Sequence, residues 1–333
     1  AAHPAGPGPA GGRVNIDLSR EATEYGRQVL RALETAGGDR LVQQAEEEPD
    51  RREKLVAPVL AELGAWELDV RGSADELEAA AAVCRAAGYR ALAYPVAERL
   101  SRPADLDADG LLVVGDNAPA GAVADLDLRW VAVTLDGERS HALALPPSAL
   151  PRHSAFVADL DLTRIDGGGA ADAVLGLVLP CWTLLGMLDR AIDLTRAHVV
   201  VRTQFGRPLS AFQAVQFQLT DAEVERGGVE MLAKYALWSL RESPADALAD
   251  ALALRLAALE AAQTVFRVAH QLQGATGFCD EAFLSWLSRY SQPVRRLPLG
   301  LSATRDQLAG LVDRRGLTGL FTDADDPHGR PTW

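Results

Sequence analysis

The second half of this 333-residue sequence contains three apolar-faced helical runs that are much longer than the average globular helix. They cover residues 172–201, 208–240 and 245–273, with short segments between them. Further helical patterns start near Glu281 and cover 304–314. Long helices that are joined by short loops pack side by side and antiparallel. We therefore predict a helical bundle for this half of the chain.

The first half divides into a helical part and a β part. Residues 23–36 and 51–63 carry apolar side chains at three- and four-residue steps, which predicts helices. Ser73 and Glu76 have the spacing of a capping box and predict the start of another helix. From about residue 102, short runs rich in β-branched residues alternate with turn residues. We interpret this segment as a small β domain of five or six strands.

The predicted fold is mostly α with a small β domain. Because the segment 173–188 is interrupted by Gly176, Pro180 and Gly186, we do not expect it to span a bilayer. The opening segment is rich in Pro, Gly and Ala and lacks the basic and apolar regions of a signal peptide. The predicted domains are a flexible tail (1–13), an N-terminal helical domain (14–101), a reduced β domain (102–167), a C-terminal helical bundle (168–320) and a second tail (321–333).

Charge and cysteine usage narrow the class of partner. A net charge of −13 disfavours binding to nucleic acid. Cys84, Cys181 and Cys279 lie far apart and have no metal-site spacing, and we expect the last two to be buried thiols. Nothing in the sequence indicates a disulfide framework, which favours a reducing compartment. We expect a cytoplasmic protein with no bound metal and no contact with nucleic acid or membrane.

Two segments carry groups suited to an anionic ligand. The first reads Arg202-Thr203-Gln204-Phe205-Gly206-Arg207-Pro208-Leu209 and is followed by Phe212-Gln213. An arginine supplies a planar, permanently charged donor fork, and a glutamine supplies both donor and acceptor groups. The second runs from Gln271 to Gly277 at a helix end, where two glycines let a backbone approach a ligand closely. Alone, each segment is more often a solvated arginine or a helix C-cap.

Together, in this order and each beside a long helical pattern, the two segments resemble the acyl-CoA dehydrogenases, a flavoenzyme family. That family has the same order of helical domain, β domain and helical bundle, and its corresponding segments hold the ADP half of FAD across a subunit interface. The resemblance is strongest over residues 188–289. It implies FAD contacts, shared with a partner subunit, from Arg202, Gln204, Phe205, Phe212, Gln213, Gln271, Leu272, Gly274 and Ala275.

The catalytic carboxylate of the family has no counterpart at its usual place. The family removes the α-proton of an acyl-CoA thioester while the β-hydride passes to flavin N5, so a carboxylate must lie beside the α-carbon. By the resemblance, the usual glutamate falls near Pro298 or Leu299, and no Asp or Glu occurs between Glu281 and Asp306. We assign no catalytic residue to this chain.

A few members of the family keep the base one helix earlier, which corresponds here to Gly176. The nearest carboxylate is Asp172, about one helical turn away. The β segment is also about half of the usual length, and it lacks Thr-Glu-Pro-like and Trp-Ile-Thr/Ser-like segments, which wrap the flavin ring and the substrate in the family. Binding of the ring and of the substrate is therefore expected mainly from the partner.

Three functions remain open on these grounds. The first is the non-catalytic subunit of a heteromeric, α2β2-type acyl-CoA dehydrogenase, similar to those that act on CoA thioesters of steroid side chains in actinobacteria. Its partner would be a related full-length subunit that binds most of the acyl-CoA. The second is a self-sufficient homo-oligomeric dehydrogenase with Asp172 as a relocated base. The third is a flavin-free scaffold that stabilises a partner through helix packing.

Overall fold

The computed structural model describes residues 16–115, 117–146 and 156–316. The predicted tails, 1–13 and 321–333, lie outside the described residues, as do residues 14–15 and 317–320 of the neighbouring predicted domains. Within the described ranges, helices come first, strands follow, and long helices complete the chain. The helices are α1 (Arg20–Ala36), α2 (Arg40–Glu47), α3 (Arg52–Ala61), α4 (Ala74–Tyr89), α5 (Val96–Leu100), α6 (Ala170–Val201), α7 (Gln213–Glu242), α8 (Ala247–Gln273), α9 (Phe283–Arg296) and α10 (Leu301–Arg315). The strands are β1 (Gly110–Val113), β2 (Ala120–Gly121), β3 (Trp130–Val133), β4 (Glu138–Ala144), β5 (Ala158–Gly168), β6 (Thr203–Gln204) and β7 (Arg207–Pro208).

Side-chain caps start two of the N-terminal helices. Ser19 Oγ accepts a hydrogen bond from the Ala22 amide at the start of α1. Ser73 Oγ accepts one from the Glu76 amide at 3.3 Å, as the capping-box spacing predicted. The Ala-rich α4 that follows is buried along most of its length and packs against α1 and α6. It connects the N-terminal helices to the bundle.

Helix α6 is the central element of the core. The helix predicted over residues 172–201 is confirmed, and α6 continues without a break through Pro180 and Gly186. In the described part of the chain, α6 is the helix that is long and apolar enough to cross a membrane, but 78% of its most apolar window is buried inside the protein. Its hydrophobic character is therefore explained by its place in the core.

The β segment forms one mixed sheet with strand order β1-β3-β4-β5-β2. β1 and β3 are parallel and the other neighbours are antiparallel. Five strands agree with the prediction of five or six. The sheet packs on the first half of α6, where Gly176 faces Val113 of β1.

Helices α6, α7 and α8 pack on one another, and α9 and α10 close the bundle against α6 and α8. α7 begins at Gln213 and not at residue 208 as predicted, because Pro208 ends the β6–β7 hairpin and Leu209–Ala211 form a 3-10 turn before the helix. Cys84 and Cys181 are buried, but the prediction of a buried Cys279 is wrong, since this thiol is exposed. The mostly α fold with a small sheet is confirmed.

Candidate functional site

The two segments that the sequence predicts to bind a ligand lie at the same end of the bundle. α6 and α8 run in the same direction, and α7, which connects them in the sequence, runs antiparallel to both. The last residue of α8, Gln273, donates from Nε2 to Thr195 Oγ1 near the end of α6 at 3.3 Å. The end of α6, the start of α7 and the end of α8 are therefore neighbours.

A two-residue hairpin turn presents Phe205 to solvent. Phe205 and Gly206 have φ values of 51° and 77° between the paired strands β6 and β7. Positive φ at both central positions is the geometry of a type I′ turn, which glycine adopts easily and phenylalanine does not. Phe205 is nevertheless 91% exposed. A strained backbone that holds out an apolar ring is a reason to suspect a ligand or partner at this position.

Phe212 is held between two neighbours of the same hairpin. Its ring meets that of Phe205 edge-on at 6.3 Å, and the Arg207 guanidinium lies over it at 4.1 Å. Gln213 follows as the exposed first residue of α7. Because the first N–H groups of a helix have no helical partners, this is a place where an anionic group can bind.

Arg202 is exposed at the C-cap of α6, and Gln204 is exposed in β6. Within the described ranges, Arg202 forms no ion pair, whereas many other arginines of this acidic chain pair with carboxylates. The pKa of the nearby His198 is lowered by partial burial and by the charge of Arg202. The Arg202 fork is therefore available to an external anion.

The end of α8 forms the wall of an open groove of about 690 Å³. Gly274 ends the helix with a φ of 61° and lines this groove with Gln271 and Ala275. His270 and Phe278 stack at 4.3 Å beside them, and partial burial lowers the pKa of His270. Of the expected contact residues in this segment, only the Leu272 side chain is buried in the core, so any ligand contact there would come from its backbone.

Two arginines of this groove were missed by sequence reasoning. Arg267 lies one helical turn before Gln271 on α8, a spacing that could have revealed it. Arg295 comes from α9, lies 5.6 Å from the centre of the Phe266 ring, and has its pKa lowered by burial and by Arg296. Neither forms an ion pair among the residues that the structure describes. The groove is therefore electropositive although the chain is acidic.

The two positions of the family's base both border one small cavity. Gly176 and Pro298 line a cavity of about 50 Å³. A Cβ added at Gly176 would lie 2.5 Å from Val113 Cγ2, so no longer side chain fits there without rearrangement. Ligand pockets are typically about 300–1,000 Å³ in volume. As it stands, the cavity is too small for an acyl thioester.

One carboxylate, Glu98, lines both this cavity and an adjacent one of about 60 Å³. Burial raises the pKa of Glu98 from its usual 4.5 to about 7. Sequence reasoning missed Glu98, because nothing in the local pattern of α5 distinguishes it from a surface glutamate. With this raised pKa, Glu98 is the described carboxylate that comes closest to the properties of a general base. The two cavities beside it, however, admit only small molecules such as water.

Asp172 is engaged elsewhere. It is buried in the first turn of α6, where Oδ1 pairs with Arg71 at 2.7 Å and Oδ2 accepts from Arg139 Nε at 2.8 Å. A base needs a free oxygen that points at the proton it removes. Both oxygens of Asp172 instead hold guanidinium groups that tie the N-terminal helices and the sheet to α6.

Comparison with known proteins agrees with this architecture. Residues 178–299 match the family model of the acyl-CoA dehydrogenase C-terminal domain. Acyl-CoA dehydrogenase FadE28 of Mycobacterium tuberculosis is 30% identical over 213 residues, which are 63% of this chain and 59% of FadE28. The probable acyl-CoA dehydrogenase YngJ of Bacillus subtilis is 31% identical over 36% of this chain and 29% of its own length. The chain thus spans less than two thirds of these curated relatives.

Solved structures extend the similarity of fold to nearly the whole chain. A chain of the ChsE4–ChsE5 complex from Mycobacterium tuberculosis superposes with a TM-score of 0.68 at 17% identity, covering 92% of this chain and 100% of that one. A variant of the Tcur3481–Tcur3483 steroid ACAD gives 0.74 at 18% identity, with 90% and 99% covered. The order of elements, the two segments at one end of the bundle and these matches agree with the resemblance to the acyl-CoA dehydrogenases: residues 178–299 are similar to their C-terminal domain, and nearly the whole chain has their fold.

Proposed function

We propose that this chain is the non-catalytic subunit of a heteromeric, FAD-dependent acyl-CoA dehydrogenase of the α2β2 type. It contributes contacts to the ADP half of FAD, and a related full-length subunit supplies the base, the flavin-ring contacts and the acyl pocket. The reaction is α,β-desaturation of an acyl-CoA thioester in the cytoplasm, with thioesters of steroid side chains as the substrate class. A steroid ACAD and a two-component ChsE complex among the similar structures are consistent with this assignment.

The observation that carries the proposal is the chemistry of the exposed bundle end. Arg202, Gln213 and Gln271 present charged and polar groups there, next to the cations Arg267 and Arg295. These groups fit the pyrophosphate and nucleoside of FAD, because an arginine fork and free helix N–H groups both bind phosphate oxygens. FAD itself supplies the redox chemistry, and the residues of this chain bind and orient its ADP half.

Exposed apolar side chains at the same end support a partner subunit. Val200 and Val201 at the end of α6, Phe205 in the hairpin and Phe278 beside the groove are all largely exposed. Apolar side chains that cluster on a surface commonly mark a protein interface. Since two of them flank proposed cofactor contacts, a subunit that covers this end would enclose FAD as well.

The chemistry around the expected base supports a non-catalytic role. Gly176 and Pro298 offer no proton acceptor, and Asp172 is held by two arginines. The self-sufficient alternative, with Asp172 as its relocated base, would require Asp172 to leave these arginines. Glu98 could take the place of Asp172 as the base only after the cavity opens by several hundred Å³. The raised pKa of Glu98 is the one observation in favour of that alternative.

The experiment measures flavin bound to the co-expressed complex of this chain with its partner. We expect Arg202→Ala to weaken FAD binding by about 10- to 150-fold, equivalent to roughly 1.5–3 kcal/mol for a lost charge-assisted hydrogen bond. Arg202→Lys should recover only part of the affinity, because the fork is lost. Arg305→Ala on α10 is the matched control, because it removes an exposed ion pair with Glu260 of α8, and the variant should retain full flavin.

Each alternative predicts another result. Flavin content that is unchanged in Arg202→Ala would show that this segment does not bind FAD and would favour the scaffold. Stoichiometric flavin and desaturation activity in the chain purified without a partner would favour the self-sufficient enzyme, and loss of that activity in Glu98→Gln would identify its base.

A further inference from the structure

Arg52 is a buried arginine whose charge meets no carboxylate at contact distance. It is the first residue of α3, is 1% exposed, and forms no ion pair within the described ranges. Nη1 donates to the Ala93 carbonyl at 3.4 Å and Nη2 to the Ala124 carbonyl, while the centre of the Phe156 ring lies 4.2 Å from the guanidinium. The Nε–H group is buried and has no hydrogen-bond partner among the described residues. Buried polar groups are normally paired, so an unpaired donor here indicates a bound group.

The nearest carboxylates do not satisfy this arginine. Burial lowers the pKa of Arg52 to about 10, which leaves the guanidinium charged at neutral pH, and Asp125 and Glu53 oppose that shift only through space. Glu53 instead lies 3.8 Å from Arg99. Arg255, which is equally buried, differs because all three of its guanidinium nitrogens donate to carbonyls, at 2.6–3.3 Å. Of these two arginines, only Arg52 has a nitrogen without a partner.

Arg52 lines a cavity of about 60 Å³ between α3, α5, α6 and α9. The other polar side chains in its wall are Tyr94, Glu98, Thr183 and Tyr290, and the rest of the wall is apolar. One water-sized group needs about 10–15 Å³ of such space, so the cavity accommodates about four non-hydrogen atoms. A single chloride ion would contact little of the apolar wall. A carboxylate that carries one methyl group has the right size and matches both the cation and the apolar wall.

The other polar groups leave the cavity positive at pH 6. Burial raises the pKa of Tyr94 to about 12 and also raises that of Tyr290, so both hydroxyl groups are neutral. The Tyr290 hydroxyl donates to Glu46 Oε2 at 2.7 Å and so engages that carboxylate. Burial raises the pKa of Glu98 to about 7, so its carboxyl group is largely protonated at pH 6 and can donate a hydrogen bond. Arg52 is therefore the charged side chain of the cavity wall at this pH.

We propose that this cavity binds a small monocarboxylate of the size of acetate, with its carboxylate on the Arg52 guanidinium and its alkyl group against the apolar wall. Hydrogen bonds between an arginine and a carboxylate are charge-assisted, and they are stronger inside a protein than in water. Because α3, α6 and α9 all border the cavity, the ligand stabilises the contact between the N-terminal helices and the bundle. None of the residues proposed to contact FAD lines this cavity, so the site is independent of the proposed function.

Thermal unfolding of the full chain, co-purified with its partner, tests the site at pH 6. Sodium acetate is titrated while sodium gluconate keeps the ionic strength constant, because the gluconate anion has the same charge but is too large for the cavity. We expect the thermal midpoint to rise with acetate and to reach a plateau, as for a ligand that binds only the folded protein. Chloride at the same concentration should give a much smaller rise.

Three variants separate the role of Arg52 from general effects of charge. Arg52→Met removes the guanidinium but keeps a long apolar side chain, and we expect it to raise the dissociation constant of acetate by about 10- to 150-fold. Ala122→Leu keeps Arg52 and fills the cavity with added carbons, so it should abolish the acetate response, and it tests the site even if Arg52→Met does not fold. Arg51→Met removes an exposed ion pair with Glu48 at the neighbouring position and should retain the full response.

The other outcomes are distinct. If the midpoint responded to acetate no more than to gluconate, water alone would fill the cavity and the proposal would be overturned. An undiminished response in Ala122→Leu would place acetate elsewhere and would equally overturn it. A rise with chloride as large as that with acetate would show that the apolar wall plays no part, which contradicts a carboxylate site. A saturable response that is lost in Ala122→Leu, weakened in Arg52→Met and retained in Arg51→Met would establish the site.

Discussion

Asp172 joins two arginines that are far from it in sequence, and it is buried with one of them. Arg71 precedes α4, and Arg139 lies on β4. We predict that Asp172→Asn lowers the free energy of unfolding by about 3–5 kcal/mol, because removing one partner leaves buried charge without compensation. Urea unfolding at pH 7 measures the change. Glu138→Gln, which removes an exposed pair with Arg164, is the control and should cost less than about 1 kcal/mol.

The same variant addresses the relocated base. If Asp172 has only a structural role, turnover of flavin-replete complex should stay within about twofold, whereas loss of a general base costs about 10²–10⁴ in rate. Anaerobic flavin reduction by an acyl-CoA separates these results. Unchanged stability together with a hundredfold loss of turnover would instead identify Asp172 as the base.

Glu98 makes stability depend on pH. The pKa of the Glu98 carboxyl is about 7 in the folded protein, compared with its usual value of 4.5. Between pH 4.5 and 7 the folded protein therefore keeps a proton on Glu98 that the unfolded chain has released. Burial of Glu98 does not destabilise the fold below pH 4.5; its cost to the free energy of unfolding grows from pH 4.5 to 7 and is complete above pH 7. We expect Glu98→Gln, which cannot ionise, to gain about 2–3 kcal/mol relative to the wild type between pH 4.5 and pH 8. Parallel pH profiles of the two proteins would rule out this titration.

Prediction from sequence succeeded for residues whose role depends on local spacing. Ser73 caps its helix as expected. Arg202 and Gln271 are exposed, and their contact with FAD stays a prediction. It did not identify Glu98 or Arg295, because their surroundings come from helices and strands that meet only after folding. For the same reason, Asp172 could be named as a carboxylate while the two arginines that bind it could not.

At the scale of elements, α4 and α6 cross at two glycines. A Cβ on Gly88 would overlap the Thr183 carbonyl, and one on Gly186 would overlap the Arg85 carbonyl. We predict that Gly186→Ala costs about 3 kcal/mol or more, because backbone atoms cannot give way as flexible side chains do. Gly310→Ala in α10 is the control and should gain up to about 1 kcal/mol from helix propensity, as a Cβ there meets only the Arg314 side chain at 3.5 Å. Thermal unfolding of both variants measures the difference, and equal midpoints would contradict the close crossing.

Local pattern also decides which elements could be predicted. Periodicity predicted the long helices of the bundle, including α6 over residues 172–201, and a number of strands that agrees with the five of the sheet. It could not predict that Gly186 of α6 serves close packing against α4. The start of α7 was placed too early, since Leu209–Ala211 form a separate 3-10 turn that no apolar period reveals. Strand order, with β1 and β3 parallel, could not be read from local pattern either.

At the scale of the whole molecule, one end differs in charge from the rest of the acidic surface. The end of the bundle combines arginines that form no ion pair among the described residues with exposed apolar side chains. On a chain with a net charge of −13, these arginines favour an anionic ligand. Loss of FAD should therefore weaken the contact at this end of the bundle.

We predict that removing FAD from the complex lowers its thermal midpoint and weakens the contact between the subunits at the bundle end. A ligand that binds only the folded assembly stabilises it by about 2.7 kcal/mol at a hundredfold excess over its dissociation constant. Differential scanning calorimetry with and without added FAD measures this stabilisation, and sedimentation velocity shows which subunits separate. At the same FAD concentration, the Arg202→Ala complex should be stabilised by only about 0.3–1.4 kcal/mol, because its dissociation constant is about 10- to 150-fold higher. If FAD raised the midpoint of this chain alone as much as that of the complex, the chain would hold the cofactor without a partner, and a shared site would be excluded.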